Sequence, residues 1–166
     1  MMVLYPVIGL IAGQRLAELV YAQRNERKLI ARGGFEVGRG HYLLFILLHA
    51  FWLASMLVLV DPATAPNWIL LGLMAALQGL RFWVVASLGP YWTTRIITLP
   101  GAPLIRHGPF RYVRHPNYMV VTAEILVLPL AFNAPGIAVS FSLLNLLLLS
   151  WRIRVEEQAL QPRRQV

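Results

Sequence analysis

The side chains best suited to chemistry stand in two short segments. The first runs from Leu104 to Tyr118 and holds Arg106, His107, Arg111, Arg114, His115 and Tyr118. Proline at 116 suits the first turn of a helix, where no amide hydrogen is needed, so Arg114 and His115 stand at a helix entry. His115, Tyr118 and Thr122 then share one face, and the free amides of a helix start favour an anionic group. In the second segment, Ser142, Asn145, Leu149, Arg152 and Glu156 step by three and four, so a cation and a carboxylate lie one turn apart on one stripe. Glu157 lies about 100° round the helix, within reach of Arg154. Arginine, histidine and neighbouring carboxylates are the parts of anion binding and proton transfer. Each segment also has a plainer reading, as head-group anchors beside a membrane or as ordinary ion pairs at a helix end, worth about 0.2–0.5 kcal/mol each.

The elements that must position these residues are hydrophobic. Of 166 residues 58% are apolar and 13% charged, where soluble domains carry about a quarter charged, so the medium is lipid. With no cysteine, a disulfide scaffold is excluded and the redox compartment is left open. A crossing helix needs about 20 apolar residues. His41 to Val60 has no formal charge and ends at Asp61-Pro62, and Asn67 to Leu88 is closed by Gly89-Pro90. Val3 to Ala22 is long enough but carries Arg15 and Glu18, an i,i+3 pair that can neutralise itself; it lacks the features of a cleaved signal segment. Asn117 to Phe132 and Gly136 to Trp151 are shorter, and Asn133-Ala134-Pro135 between them reads as a tight turn. They form a helical hairpin that either crosses or dips in and returns. The expectation is an all-α polytopic membrane protein with about five transmembrane helices in one membrane-embedded domain spanning 1–166. Residues 1–88 supply three helices, and 89–166 a loop, the hairpin and an exit helix.

The net charge of +8 follows from topology. Arg24, Arg27, Lys28, Arg32 and Arg39 lie in the first connection, Arg95, Arg106, Arg111 and Arg114 in the third, and Arg152, Arg154, Arg163 and Arg164 after the last span. Under the positive-inside rule this puts the N-terminus outside and the C-terminus, with the long loop from Gly89 to Pro116, in the cytoplasm. Anionic lipid head groups, and not nucleic acid, are the expected counter-charges. Within the hydrocarbon, Arg15, Glu18, Arg81 and Glu124 each need a partner and by number can neutralise one another, either as a structural network or as part of a binding pocket. His41 and His49 have no Cys, Asp or Glu at ligand spacing, so they read as interfacial or packing residues and no metal is expected. Gly38-Arg39-Gly40 is not a dinucleotide loop, since no strand–helix–strand unit can be drawn around it.

Taken together, Gly108 to Tyr118, the hairpin and Arg152 to Glu157 resemble the isoprenylcysteine carboxyl methyltransferase family of integral membrane enzymes, over roughly residues 80 to 160. The resemblance implies an S-adenosylmethionine-dependent O-methyltransferase whose loop before the hairpin wraps the cofactor. Leu104 and Ile105 would present backbone to the adenosine, Gly108 would allow close approach, and His115 and Tyr118, with Pro116 in the same box, would line the cofactor. Glu156 or Glu157 would hold its amino or ribose groups, and Arg152 would face the substrate. Phe110 stands in the same loop where the family often has a tyrosine, and Ala102 where a histidine can stand. In the first half, Gln14 to Glu18, Arg24-Asn25, Gly33 to Glu36 and Gly40 to Tyr42 look like bacterial members that accompany polyketide synthases and act on long-chain pyrones or resorcinols. The acceptor is thus a lipophilic small molecule or a prenylated substrate, and the setting a bacterial inner membrane.

Methyl transfer from a sulfonium is an in-line displacement, so alignment and water exclusion carry most of the burden. Arg152 would hold a carboxylate acceptor; a hydroxyl acceptor would need a base, for which His115, Glu156 and Glu157 are the candidates. The catalytic set expected is therefore Arg152, His115 and Glu156. Other readings are a membrane NADPH-dependent sterol-type reductase, a phospholipid N-methyltransferase, or a non-catalytic membrane interaction protein.

Overall fold

The computed structural model describes residues 2–164, without the side chains of His41 and residues 160–164, so the expectation for His41 lies outside the described residues. Five α-helices account for most of the chain: α1 (Leu4–Ala31), α2 (Tyr42–Leu59), α3 (Trp68–Leu88), α4 (Pro116–Ala131) and α5 (Pro135–Arg164). Their limits follow from local chemistry. Asn67 caps α3, its Oδ1 accepting from the amides of Ile69 and Leu70 at 3.0 and 3.2 Å. Pro116 opens α4, and Asn133, at φ 55°, makes the turn into α5.

The chain is an integral membrane protein. α2, α3 and α5 are long and apolar enough to cross a bilayer, and large apolar side chains such as Leu10, Phe51, Val58, Ile69, Phe82 and Leu147 are exposed on the outside of the bundle. Two helices differ in length from the expected spans. α1 has 28 residues and runs nine positions past the expected end at Ala22, because Gln23 to Lys28 are polar but good helix formers. α5, expected to be marginal in length, is one continuous helix of 30 residues that includes the exit segment. α4 has only 16 residues, about 24 Å, and most of its surface is buried between α3 and α5.

Depth follows from one bond. The Asn67 amide donates to the carbonyl of Ala131 at 2.8 Å, which levels the end of α4 with the start of α3. Since α3 has 21 residues, about 32 Å, α4 begins roughly 8 Å short of the other end of α3. The shared end of the bundle is solid: Leu4, Ile8, Trp52, Met56, Met74, Ile125, Leu128 and Phe132 form one buried core there. At the opposite end, residues 89–115 fold into the gap below α4.

Two strands, β1 (Phe35–Val37) and β2 (Ile96–Thr98), pair antiparallel with Phe35 opposite Thr98 and Val37 opposite Ile96. They tie the first connection to the long loop, an addition to the helical fold expected from sequence. The turn that delivers β1 needs glycine at position 34, where a Cβ would stand 2.8 Å from the carbonyl oxygen of Leu29.

Candidate functional site

Beneath α4 lies a cavity of about 600 Å³, within the range typical of small-molecule sites. It is bounded by Leu99 and Leu104 to Arg106 of the loop, by Ile96 to Thr98 of β2, by Phe110, and by His115, Pro116, Tyr118, Arg152 and Glu156. Most of the sequence-predicted site residues therefore face one space. Gly108 and Glu157 do not border it. Gly108, at φ 59°, packs against α3, where an added Cβ would collide with the Ser87 hydroxyl, so its close approach is to protein. Glu157 faces Arg114 and His115, each at 3.9 Å.

The centre of the site is the Tyr118 hydroxyl. It donates to a carboxylate oxygen of Glu156 and accepts from Arg152 Nε at 2.8 Å. The expected Arg152–Glu156 pair one turn apart is thus bridged through an α4 side chain. The His115 ring stacks on Tyr118, with centroids 5.2 Å apart, and its Nδ1 stands 3.8 Å from Glu156. One step up, Asn145, fully buried, donates to the Thr122 hydroxyl at 3.0 Å, so the stripe predicted on α5 is the face that meets α4. Arg152 also donates from Nη2 to the Thr94 carbonyl at 2.8 Å and lies over the Phe45 ring at 5.3 Å. Those two bonds use Nε and one Nη2 hydrogen, which leaves three of the five guanidinium N–H donors for another group.

A second cavity, of about 350 Å³, lies deeper in the membrane between α1, α2, α4 and α5. Its walls are mainly apolar, with Ala12, Leu19, Phe45, Leu53 and Val121 among them, and Leu16 and Ile46 are both lining and lipid-exposed, which marks its mouth between α1 and α2. The two cavities share a wall made by Trp92, Thr93, Asn117, Tyr118 and Arg152. Along the inner side of the second cavity runs the charge network. Arg15 pairs with Glu124, Arg81 Nε donates to Glu18 at 2.7 Å, Gln78 donates to Glu124 at 2.9 Å, and Arg81 Nη1 donates to Asn117 at 3.3 Å. Two cations and two anions thus compensate one another across α1, α3 and α4, as their number suggests, while Arg15, Glu18 and Arg81 also border the cavity.

Sequence reasoning missed the residues of α1 that hold the loop. Asn25, buried, donates to the carbonyls of Gly89 and Trp92 at 3.0 and 2.9 Å. Glu26 accepts from the Thr94 hydroxyl and the Arg95 amide, both at 3.2 Å, and so fixes the residue whose carbonyl anchors Arg152. Glu36 joins at the surface, 3.2 Å from Arg95 Nη1; partial burial opposes the Arg95 charge, but Glu36 and Glu26 outweigh it and raise the guanidinium pKa. A polar Asn-Glu pair inside a helix was the available signal, but its partners lie more than sixty positions away.

Comparison with known sequences decides the family. The isoprenylcysteine carboxyl methyltransferase (ICMT) family profile matches residues 69–162, more than half of the chain and all of the segment that builds the first cavity's loop, α4 and the Arg152–Glu156 stripe. The chain belongs to the ICMT family. It is therefore a membrane methyltransferase. Similarity extends beyond the family match: the uncharacterized protein YpbQ of Bacillus subtilis is 37% identical over 159 residues, covering 93% of this chain and 95% of its own. An uncharacterized protein of Haemophilus influenzae is 31% identical over 151 residues, 88% of each chain. No solved structure matches.

Proposed function

We propose that the protein transfers a methyl group from S-adenosylmethionine to an acidic oxygen of a lipophilic acceptor held in the bilayer, either a carboxylate of prenylcysteine type or the hydroxyl of a long-chain pyrone or resorcinol. The observation that carries this reading is the shared wall: the more polar cavity at one end of the bundle and an apolar cavity with its mouth between α1 and α2 meet at Tyr118 and Arg152. The first cavity suits the donor. Trp92 Nε1, Thr98 Oγ1 and His115 Nε2 around it are buried and without a hydrogen-bond partner, and buried polar groups of this kind are normally satisfied. Leu104 and Ile105 would offer backbone to the adenosine, with Phe110 and Pro116 as apolar walls, and Glu156 would face its charged end. When bound, the group supplies an electrophilic methyl on a sulfonium.

The chain's own residues do the rest. Arg152, fixed by Thr94 and Tyr118, has donors to spare for the acceptor oxygen; with a hydroxyl acceptor its charge favours the ionised form. Tyr118 can receive the acceptor's proton while passing its own to Glu156, the carboxylate it already contacts, and His115 stacks behind Tyr118 to hold it in place. The apolar walls exclude water, which would compete for the methyl group and weaken each of these contacts. The basic connections lie at the end of the bundle that carries the first cavity, which under the positive-inside rule is the cytoplasmic end, where a soluble donor is present.

The test is ligand-dependent unfolding in detergent. S-adenosylhomocysteine at 100 times its dissociation constant adds about 2.7 kcal/mol to stability and so raises Tm, whereas NADPH does not. A shift with NADPH alone would transfer the protein to reductase chemistry, and no shift with either would remove the donor site.

A further inference from the structure

His49 is not used by the methyl-transfer centre, yet it borders the apolar cavity. It lies on α2 one turn beyond Phe45, the residue whose ring carries the Arg152 guanidinium at 5.3 Å. Its Nδ1 stands 2.8 Å from the Phe45 carbonyl oxygen. A carbonyl only accepts, so Nδ1 bears the hydrogen and Nε2 of the neutral ring keeps its lone pair. The ring packs edge-on against Trp52, which fixes its plane. Among the described residues Nε2 receives no hydrogen bond, and Ala50 and Leu53 beside it in the cavity wall have no side chain that could donate one. A lone acceptor among apolar walls is unfavourable unless something donates to it.

We propose that His49 is a specificity residue that accepts a hydrogen bond from a second hydroxyl of the acceptor, one helical turn, about 5 Å, deeper in the membrane than the oxygen held by Arg152. The inference rests on the reading of the apolar cavity as the acceptor site. The chemistry narrows the ligand. Nε2 takes a donor, so a second hydroxyl fits, while a carbonyl or carboxylate in that position does not. Past His49 the cavity is lined by apolar groups, so the acceptor continues beyond its second hydroxyl as a hydrocarbon tail. The favoured acceptor is therefore a lipid whose head carries two hydroxyls about one turn apart, one of which reacts.

The experiment compares two acceptors with the purified full-length protein and S-adenosylmethionine in detergent: a long-chain alkylphenol, and the same molecule with a second hydroxyl meta to the first. The dihydroxy compound should be preferred in kcat/KM by about tenfold or more, since a buried hydrogen bond made by one substrate and missed by the other separates them at least this much. H49L should bring the ratio to within about twofold of unity, and H49Q, whose amide oxygen can accept, should restore part of it. Melting with S-adenosylhomocysteine, retained in each variant, shows that they fold. A ratio in H49L equal to that of the unaltered protein overturns the proposal, as does an unaltered protein that does not distinguish the two compounds. In both of those cases methyl transfer to the phenol keeps the broader reading of the cavity intact, whereas transfer to neither compound overturns both.

Discussion

Replacing Tyr118 by phenylalanine removes one oxygen and with it two contacts to charged partners, the bond from Arg152 Nε and the bond to Glu156. Hydrogen bonds to charged groups are worth about 1.5–3 kcal/mol each, but the loss is smaller than their sum. Arg152 keeps its bond to the Thr94 carbonyl, and Glu156, with a quarter of its side chain exposed, regains water. A net loss of about 1.4–2.7 kcal/mol corresponds to roughly a 10- to 100-fold fall in kcat/KM. The assay is transfer of an isotopically labelled methyl group to a lipophilic phenol, run on Y118F, R152K and the double variant. If Tyr118 holds Arg152 in place, the two losses overlap and the double variant is better than their product by about tenfold, a coupling of about 1.4 kcal/mol. Strict multiplicativity, or Y118F at full activity, would show that the bridge plays no part in the chemistry.

Three other contacts give outcomes of their own. Glu124, fully buried between Arg15 and Arg81, should on change to glutamine leave an uncompensated cation and lower stability by about 3–5 kcal/mol; adding Arg15→Gln should recover part of this, as read by thermal unfolding in detergent. N25A should free the carbonyls of Gly89 and Trp92, cost about 1–3 kcal/mol, and speed limited proteolysis within residues 89–107 more than in the α2–α3 connection. G108A should be destabilising through both its positive φ and the Ser87 hydroxyl, and S87G in the same chain should relieve the steric part, both read as shifts in Tm.

Those features of the fold that depend on neighbours in sequence were legible. An uncharged run ended by Asp61-Pro62 and a run closed by Gly89-Pro90 give α2 and α3 nearly to the residue, because lipid leaves few alternatives for such stretches. Pro116 and Asn133 mark the ends of α4 for equally local reasons. Hydropathy failed where helix and membrane stop in different places: α1 continues past Ala22 on polar residues, most of which favour helix, whereas the run of α5 past Trp151 was legible in the stripe that reaches Glu156. Strands of three residues, β1 and β2, are too short to show a period. At the site, the stripe from Ser142 to Glu156 was visible from spacing alone, but not that Tyr118 would come between Arg152 and Glu156. Gly108 illustrates the remaining difficulty. A glycine in a motif signals close approach, and only three dimensions reveal that the thing approached is Ser87.

On the proposed function, the shortness of α4 sets where the reactants meet. Because α4 stops roughly 8 Å short of the end of α3, the first cavity opens between it and the loop of residues 89–115, and a water-soluble donor would enter there. A lipid acceptor in the second cavity would not have to be lifted out of its leaflet, and its methylated product would depart sideways past Leu16 and Ile46, the exposed residues at that cavity's mouth.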